Sequence, residues 1–229
     1  MLFIEDSYLK EFNAKILSFE SNQIILDKTA FYAKSGGQPG DIGTLSINNK
    51  IFDVVDTIKD NQNQILHIIR NDTNIKNGDQ VKGIINWNKR YKYMRMHTAL
   101  HILCSVIPYG VTGGQINYDK SRLDFDLKDE KIDKKEIENK INKLIQENHK
   151  ISYQWITNKE LEIKPELVRT MSVKPPKTME KIRLVKIGDI DLQPCGGTHL
   201  KNTIEIGKVN ILKIENKGKR NRRIIISLD

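Results

Sequence analysis

Four side chains in this sequence have the types and spacing of a metal site: His97 with His101, and Cys195 with His199. On a helix over Arg95–Val106, His97 and His101 stand at i and i+4, so both imidazoles leave one face about one turn apart. Cys195-Gly-Gly-Thr-His199 supplies up to two more donors from an irregular segment. There Pro194 halts a preceding strand, and Gly196-Gly197 lets the backbone turn sharply beside a thiolate. Three imidazoles and one thiolate form the nitrogen/sulfur tetrahedron that zinc takes. That donor softness selects Zn2+ over magnesium, calcium or manganese, with iron as the alternative. A His pair at i,i+4 is by itself equally a packed or surface pair. Here, however, four of the chain's five His and two Cys residues fall into two compact pairs, which favours a shared ion.

Two neighbours test this reading. Cys104, at i+7 from His97, shares its helical face but lies about 10 Å along the axis, too far for bonds of about 2.0–2.3 Å to the same ion. Cys104 is therefore expected to be a small buried side chain. Thr98 follows the first His directly, where the helix of a zinc peptidase carries its glutamate base, so peptidase chemistry is excluded.

The His-x-x-x-His and Cys-x-x-x-His motifs, with Arg122-Leu-Asp-Phe125 between them, resemble the editing domain of alanyl-tRNA synthetase and the free-standing alanyl-tRNA editing proteins, the AlaX family. A second match precedes them. Phe31-Tyr-Ala-Lys-Ser-Gly-Gly-Gln-Pro-Gly-Asp-Ile-Gly43 is similar to the glycine-rich motif in the N-terminal domain of the larger AlaX proteins and of the synthetase. The order and spacing of these motifs cover nearly the whole chain, at the medium length of the family, with nothing resembling an aminoacylation domain.

The elements that must position these residues can be read in order. Short β-rich runs at 13–21, 23–29, 44–48, 50–58, 64–69 and 80–87 alternate with turns and predict a small β-barrel over residues 1–88. Asn48-Asn49 and Asn77-Gly78 are its turn residues. Four glycines between Gly36 and Gly43 predict a loop whose backbone approaches something closely. Residues 89–229 are expected to form an α+β editing domain, its metal-binding helix packed on an antiparallel sheet. Val111–Gln115 reads as a turn into a strand at 121–127. Ile137, Ile141, Leu144 and Ile145 make the apolar stripe of an amphipathic core helix over 133–148. Strands are expected at 151–157 and 182–187, a helix start at Asn158, and a hairpin from 203–215 and 222–228.

The 229 residues, 38% of them hydrophobic, suffice for one large or two small domains. No apolar run approaches a membrane span and the first residues do not read as a signal peptide. Two cysteines exclude a disulfide framework, so a soluble cytoplasmic protein is expected, with no membrane contact and no obligate protein partner. The net charge of +9 is uneven: residues 1–88 carry 9 basic and 11 acidic side chains, residues 89–229 carry 29 and 18. A polyanionic partner is implied, although solvated surface charge explains the bias equally well. Lys89, Arg90 and Lys92, interleaved with tyrosines, and Lys217, Lys219, Arg220, Arg222 and Arg223 are the expected nucleic-acid contacts.

The resemblance implies a reaction: hydrolysis, in trans, of the ester in tRNA(Ala) mischarged with serine or glycine. It makes His97, His101, Cys195 and His199 ligands of Zn2+, and brings the loop with Gln38 and Asp41 toward the pocket. Selecting serine over alanine needs a site built to hydrogen-bond a hydroxyl, for which Thr112, Gln115 and Gln38 are the candidates. The alternatives are a non-catalytic, zinc-stabilised RNA-binding module and the related editing domain of threonyl-tRNA synthetases.

Overall fold

The structure is a computed structural model and describes residues 1–70, 75–127, 130, 132–170 and 181–229. The chain folds as two compact units, Met1–Tyr93 and Met94–Asp229.

The first unit opens with a short helix, α1 (Leu2–Glu5), followed by β1 (Glu11–Glu20), β2 (Gln23–Leu26), β3 (Gly43–Ile47), β4 (Lys50–Lys59), β5 (Ile65–Ile69) and β6 (Gln80–Ile85). The six strands close into an antiparallel barrel in the order β1-β2-β5-β4-β3-β6. Alternation explains the closure. Phe12, Ala14 and Ile16 on β1, Leu45 and Ile47 on β3, and Val81 and Ile85 on β6 all point into one core, while their neighbours face out. Ile47 pairs with Lys50 across Asn48-Asn49, whose φ angles of 49° and 61° give the two-residue turn expected there.

The glycine-rich segment is explained within the same unit. Gly36 and Gly37 have φ of 55° and 81° and form a tight turn closed by backbone bonds between Ser35 and Gln38. A Cβ on Gly40 would stand 2.1 Å from the Thr57 carbonyl oxygen on β4, and one on Gly43 would stand 2.1 Å from that of Ile84 on β6. The close approach predicted for these glycines is thus to the barrel's own strands.

The helix α2 (Trp87–Val106) begins eight residues before the expected Arg95 and carries Met94, Met96, Ala99, Leu100, Ile102, Leu103 and Cys104 buried. Apolar residues around so much of its circumference mark a core helix rather than a surface one. Beyond it come β7 (Val111–Gln115), β8 (Ser121–Asp126), α3 (Lys134–Gln146), β9 (Ile151–Thr157), α4 (Asn158–Ile163), β10 (Lys181–Ile187), β11 (Asp191–Pro194), β12 (Val209–Asn216) and β13 (Asn221–Leu228). They form two antiparallel sheets, β11-β10-β9 and β12-β13-β8-β7, where a single sheet was expected. The whole is an α+β fold.

Two local expectations are corrected. Val111–Gln115 is a strand rather than a turn, because it pairs with β8 through a bulge between Val111 and Gly113. Thr203–Ile206 is a 3-10 turn rather than the start of the hairpin: Asn202 and Glu205 cap it reciprocally and Gly207, at φ 75°, ends it. On α3, Ile137, Ile141 and Ile145 are buried, as the stripe predicted, and the Asp133 side chain caps its first turn. This helix lies against β12, with the Asn142 side chain bonded to both N–H and C=O of Val209.

Candidate metal centre

His97 and His101 project from α2, and Cys195 and His199 from the loop that leaves β11; the four ligand atoms lie within 4.8 Å of one another. Cys195 Sγ stands 3.5 Å from His97 Nε2 and 3.3 Å from His199 Nε2. Donors bonded tetrahedrally at about 2.0–2.3 Å are separated by about 3.3–3.8 Å, a spacing that both Cys195 contacts match, so the cluster could hold a metal ion. Cys104 lies outside the cluster, and burial, then the Asp191 charge, push its thiol up to about 12. It stays a protonated, packed side chain.

The local sequence explains how the loop is aimed. Gly188, at φ 47°, turns β10 into β11, and the β10–β11 ladder runs to Leu184 opposite Pro194. One further bond, from Cys195 N–H to the Arg183 carbonyl at 3.1 Å, carries the register to the first ligand. The Gly197 N–H then points back at Cys195 Sγ, 3.4 Å away, a geometry that favours a thiolate.

Each of two imidazoles has a fixed orienting partner. His101 Nδ1 donates to Asp191 Oδ2 at 2.8 Å, and Gln193 Nε2 donates to the same carboxylate at 2.9 Å. His199 Nδ1 lies 3.2 Å from Thr98 Oγ1, which also accepts the Leu200 N–H at 3.3 Å. The Asp191 carboxylate can only accept, so this contact keeps a proton on His101 Nδ1 and turns Nε2 toward the cluster, and the Thr98 contact fixes the plane of the His199 ring; such partners are what metal-ligating histidines usually have. Without an ion, the thiolate and the imidazoles bias one another's protonation. Burial works against charge on His101, but the bond to Asp191 and the nearby Cys195 outweigh it and lift its pKa to about 10. Burial also opposes the Cys195 thiolate, yet His97 and His199 pull it well below the usual thiol range. Burial, with His97 beside it, holds His199 well below the usual histidine range.

Sequence reasoning missed Thr98, Arg183, Asp191 and Gln193. The signal for the last two was present: Asp191 and Gln193 stand two apart, on one face of a strand that ends one residue before Cys195.

The other expected site residues are placed as follows. The Thr112 hydroxyl lies 2.9 Å from Asn221 Oδ1 and 3.2 Å from the Asp124 carbonyl, inside the four-stranded sheet, and Gln115 is exposed at the end of β7. Gln38 is buried in the first unit. Asp41 is not offered as a free carboxylate: it pairs with Arg90 and accepts the Tyr32 N–H. Arg90, expected on a cationic surface strip, is therefore corrected to a buried structural residue that also binds the carbonyls of Ser7 and Ala30. Lys89 is exposed and Lys92 half-buried.

At the β12–β13 turn, Lys219 is exposed, whereas Lys217 pairs with Glu215, Arg220 with Asp126 and Arg223 with Asp124. Arg222 Nη1 binds the Asn221 carbonyl. The turn has no acid of its own, but strand pairing brings acids to it from β8 and β12.

Comparison with known sequences accords with this architecture. Residues 3–89 match the family model for class II (A) tRNA synthetases, and residues 182–225 match that for the threonyl and alanyl tRNA synthetase second additional domain. Both units thus carry the stamp of aminoacyl-tRNA synthetases. The alanyl-tRNA editing protein AlaX-M of Methanosarcina acetivorans is 41% identical, over 100% of this chain and 98% of its own length. AlaX-M of Saccharolobus solfataricus is 36% identical over 97% and 96%. AlaX-L of Pyrococcus horikoshii is 36% identical over 97% of this chain and 56% of its own. The chain belongs to the AlaX family of alanyl-tRNA editing proteins.

Proposed function

We propose that this protein is a trans-editing hydrolase that removes serine or glycine from mischarged tRNA(Ala). The observation that carries the proposal is the His97–His101–Cys195–His199 cluster, in a chain that matches proteins named for alanyl-tRNA editing nearly end to end. The reaction adds water to the ester carbonyl, breaks the acyl C–O bond and returns the proton to the ribose oxygen, releasing amino acid and tRNA. A Zn2+ ion held by the four residues would supply a Lewis acid at the ester.

The chain's own groups have narrower tasks. Thr98 and Asp191 hold His199 and His101 in register, and Asp191 is committed to His101 and Gln193 rather than acting as a base. An aminoacyl ester is reactive enough for positioning and a polarised water to suffice. Thr112 and Gln115 are the polar groups proposed to distinguish a serine hydroxyl from alanine, a choice that reaches about 10⁴-fold when a site's own polar groups are left unpaired by the wrong substrate. The relatives' names favour the alanyl over the threonyl branch.

The test is ester loss from Ser-tRNA(Ala), Gly-tRNA(Ala) and Ala-tRNA(Ala), each incubated separately with the protein. Rapid loss of the serine ester with Ala-tRNA(Ala) left at its spontaneous rate is expected. Spontaneous decay of all three would leave a zinc-stabilised RNA-binding module; rapid loss of all three would keep the hydrolase and refute its selectivity.

A further inference from the structure

Arg90 and Arg183 are the arginines buried among the described residues. Arg90 answers a buried carboxylate, but Arg183 on β10 does something different. Its Nε donates to the Cys195 carbonyl at 2.9 Å and its Nη2 to the Gly197 carbonyl, while its guanidinium stands 4.7 Å over the ring of Tyr153 on β9. Its own carbonyl accepts the Cys195 N–H at 3.1 Å. The peptide groups on both sides of the Cys195 Cα are therefore held by one residue. Fixing both peptides fixes φ and ψ of Cys195, and with them the direction in which its Cα–Cβ bond carries the sulfur. Gly197 is held on both sides as well, its N–H on Cys195 Sγ and its C=O on Arg183.

We infer that Arg183 is a positioning residue of the metal centre: it shapes the 195–197 loop so that the Cys195 thiolate meets the three imidazoles. The role suits arginine and no other side chain. A planar fork binds two carbonyls at once and stacks on an aromatic face, whereas a lysine ammonium is a point charge on a flexible stem. A residue that acts through a ligand in this way is expected to matter to metal affinity by about 10- to 100-fold.

The inference rests on the metal reading, and the experiment separates the two. Full-length wild-type protein, Arg183→Lys and Arg183→Gln are compared metal-free by far-UV circular dichroism and melting. They are then compared for zinc affinity against a chromophoric chelator, and for the thiolate-to-metal charge-transfer band of the cobalt(II)-loaded form. Both variants should bind zinc about 10- to 100-fold more weakly, with a diminished or shifted charge-transfer band. Failure of the lysine variant, which keeps the charge, would locate the effect in the two-point geometry. Wild-type affinity and spectrum in both variants would overturn the proposal alone, while a wild-type protein that binds no zinc would overturn the metal reading and this proposal with it. If neither variant folds, the wild-type protein decides: a scalar coupling across the hydrogen bond from Arg183 Nε to the Cys195 carbonyl carbon is expected, and its absence refutes the clamp.

Discussion

The hydroxyl of Thr98 lies 3.2 Å from Nδ1 of His199, so the residue between two helix-borne histidines orients a third that arrives from a distant loop. Thr98 is fully buried, and its oxygen also accepts the Leu200 N–H. Thr98→Val keeps the shape and removes the acceptor. It should weaken zinc binding by about 10- to 100-fold, whereas Thr98→Ser should stay near wild type. Competition with a chelator of known affinity measures both.

Cys195 and Cys104 should behave oppositely. Cys195→Ala removes the thiolate donor and should abolish stoichiometric zinc, as metal analysis of the purified protein would record. Cys104→Ala leaves the donor set whole and should retain about one zinc per chain, at a cost only in packing on α2.

The basic residues divide by partner. Lys219 is exposed, so Lys219→Gln should weaken tRNA binding and lower the slope of log affinity against log salt by about one. Arg223 is bound twice to Asp124 at 2.8 Å and is largely covered. Arg223→Gln should lower thermal stability more than the salt slope. Arg90→Met strands the buried Asp41 carboxylate and should cost about 3–5 kcal/mol of stability, read from denaturant unfolding. A steep loss of tRNA affinity from Arg90→Met in a protein of undiminished stability would contradict its structural assignment.

His67 gives the barrel a pH dependence. Burial, opposed by the bond to Ile24, lowers its pKa from 6.5 to about 4. Its Nδ1–H donates to the Ile24 carbonyl at 2.9 Å, and Nε2 accepts from the Thr29 hydroxyl at 2.8 Å. Between pH 6.5 and about 4 the unfolded chain takes up a proton that the folded chain refuses, so stability is complete above 6.5 and falls as pH drops across that window. The difference at its lower end is roughly 3 kcal/mol. His67→Gln should be less stable at pH 7.5 yet lose less on acidification, as urea unfolding at a series of pH values would register.

What could be read from the sequence was what depends on short spacing. The i,i+4 pair on α2, the alternation of Phe12, Ala14 and Ile16, the Asn48-Asn49 turn and the isoleucine stripe of α3 are each written within a few residues. What could not be read depends on which strands become neighbours. Asp124 and Asp126 meet Arg223 and Arg220 only because β8 pairs with β13, and Arg183 meets Cys195 only because β10 pairs with β11. The cationic run at 89–92 hid a second ambiguity, since a charge inside such a run reads as solvated until its partner is known. For Arg90 that partner, Asp41, lies 49 residues away in the chain.

The division of the centre between α2 and the loop after β11 also orders events during synthesis. His97 and His101 emerge from the ribosome well before Cys195, which follows His97 by 98 residues. At translation rates of about 5–20 residues per second the interval is roughly 5–20 s. Through that time the nascent chain offers a metal only two neighbouring imidazoles, and the helix that bears them lacks the later part of the unit in which its apolar residues are buried. The four donors therefore come together only as the second unit is completed, and a chain truncated before Pro194 would leave both the histidines and the helix exposed to quality control.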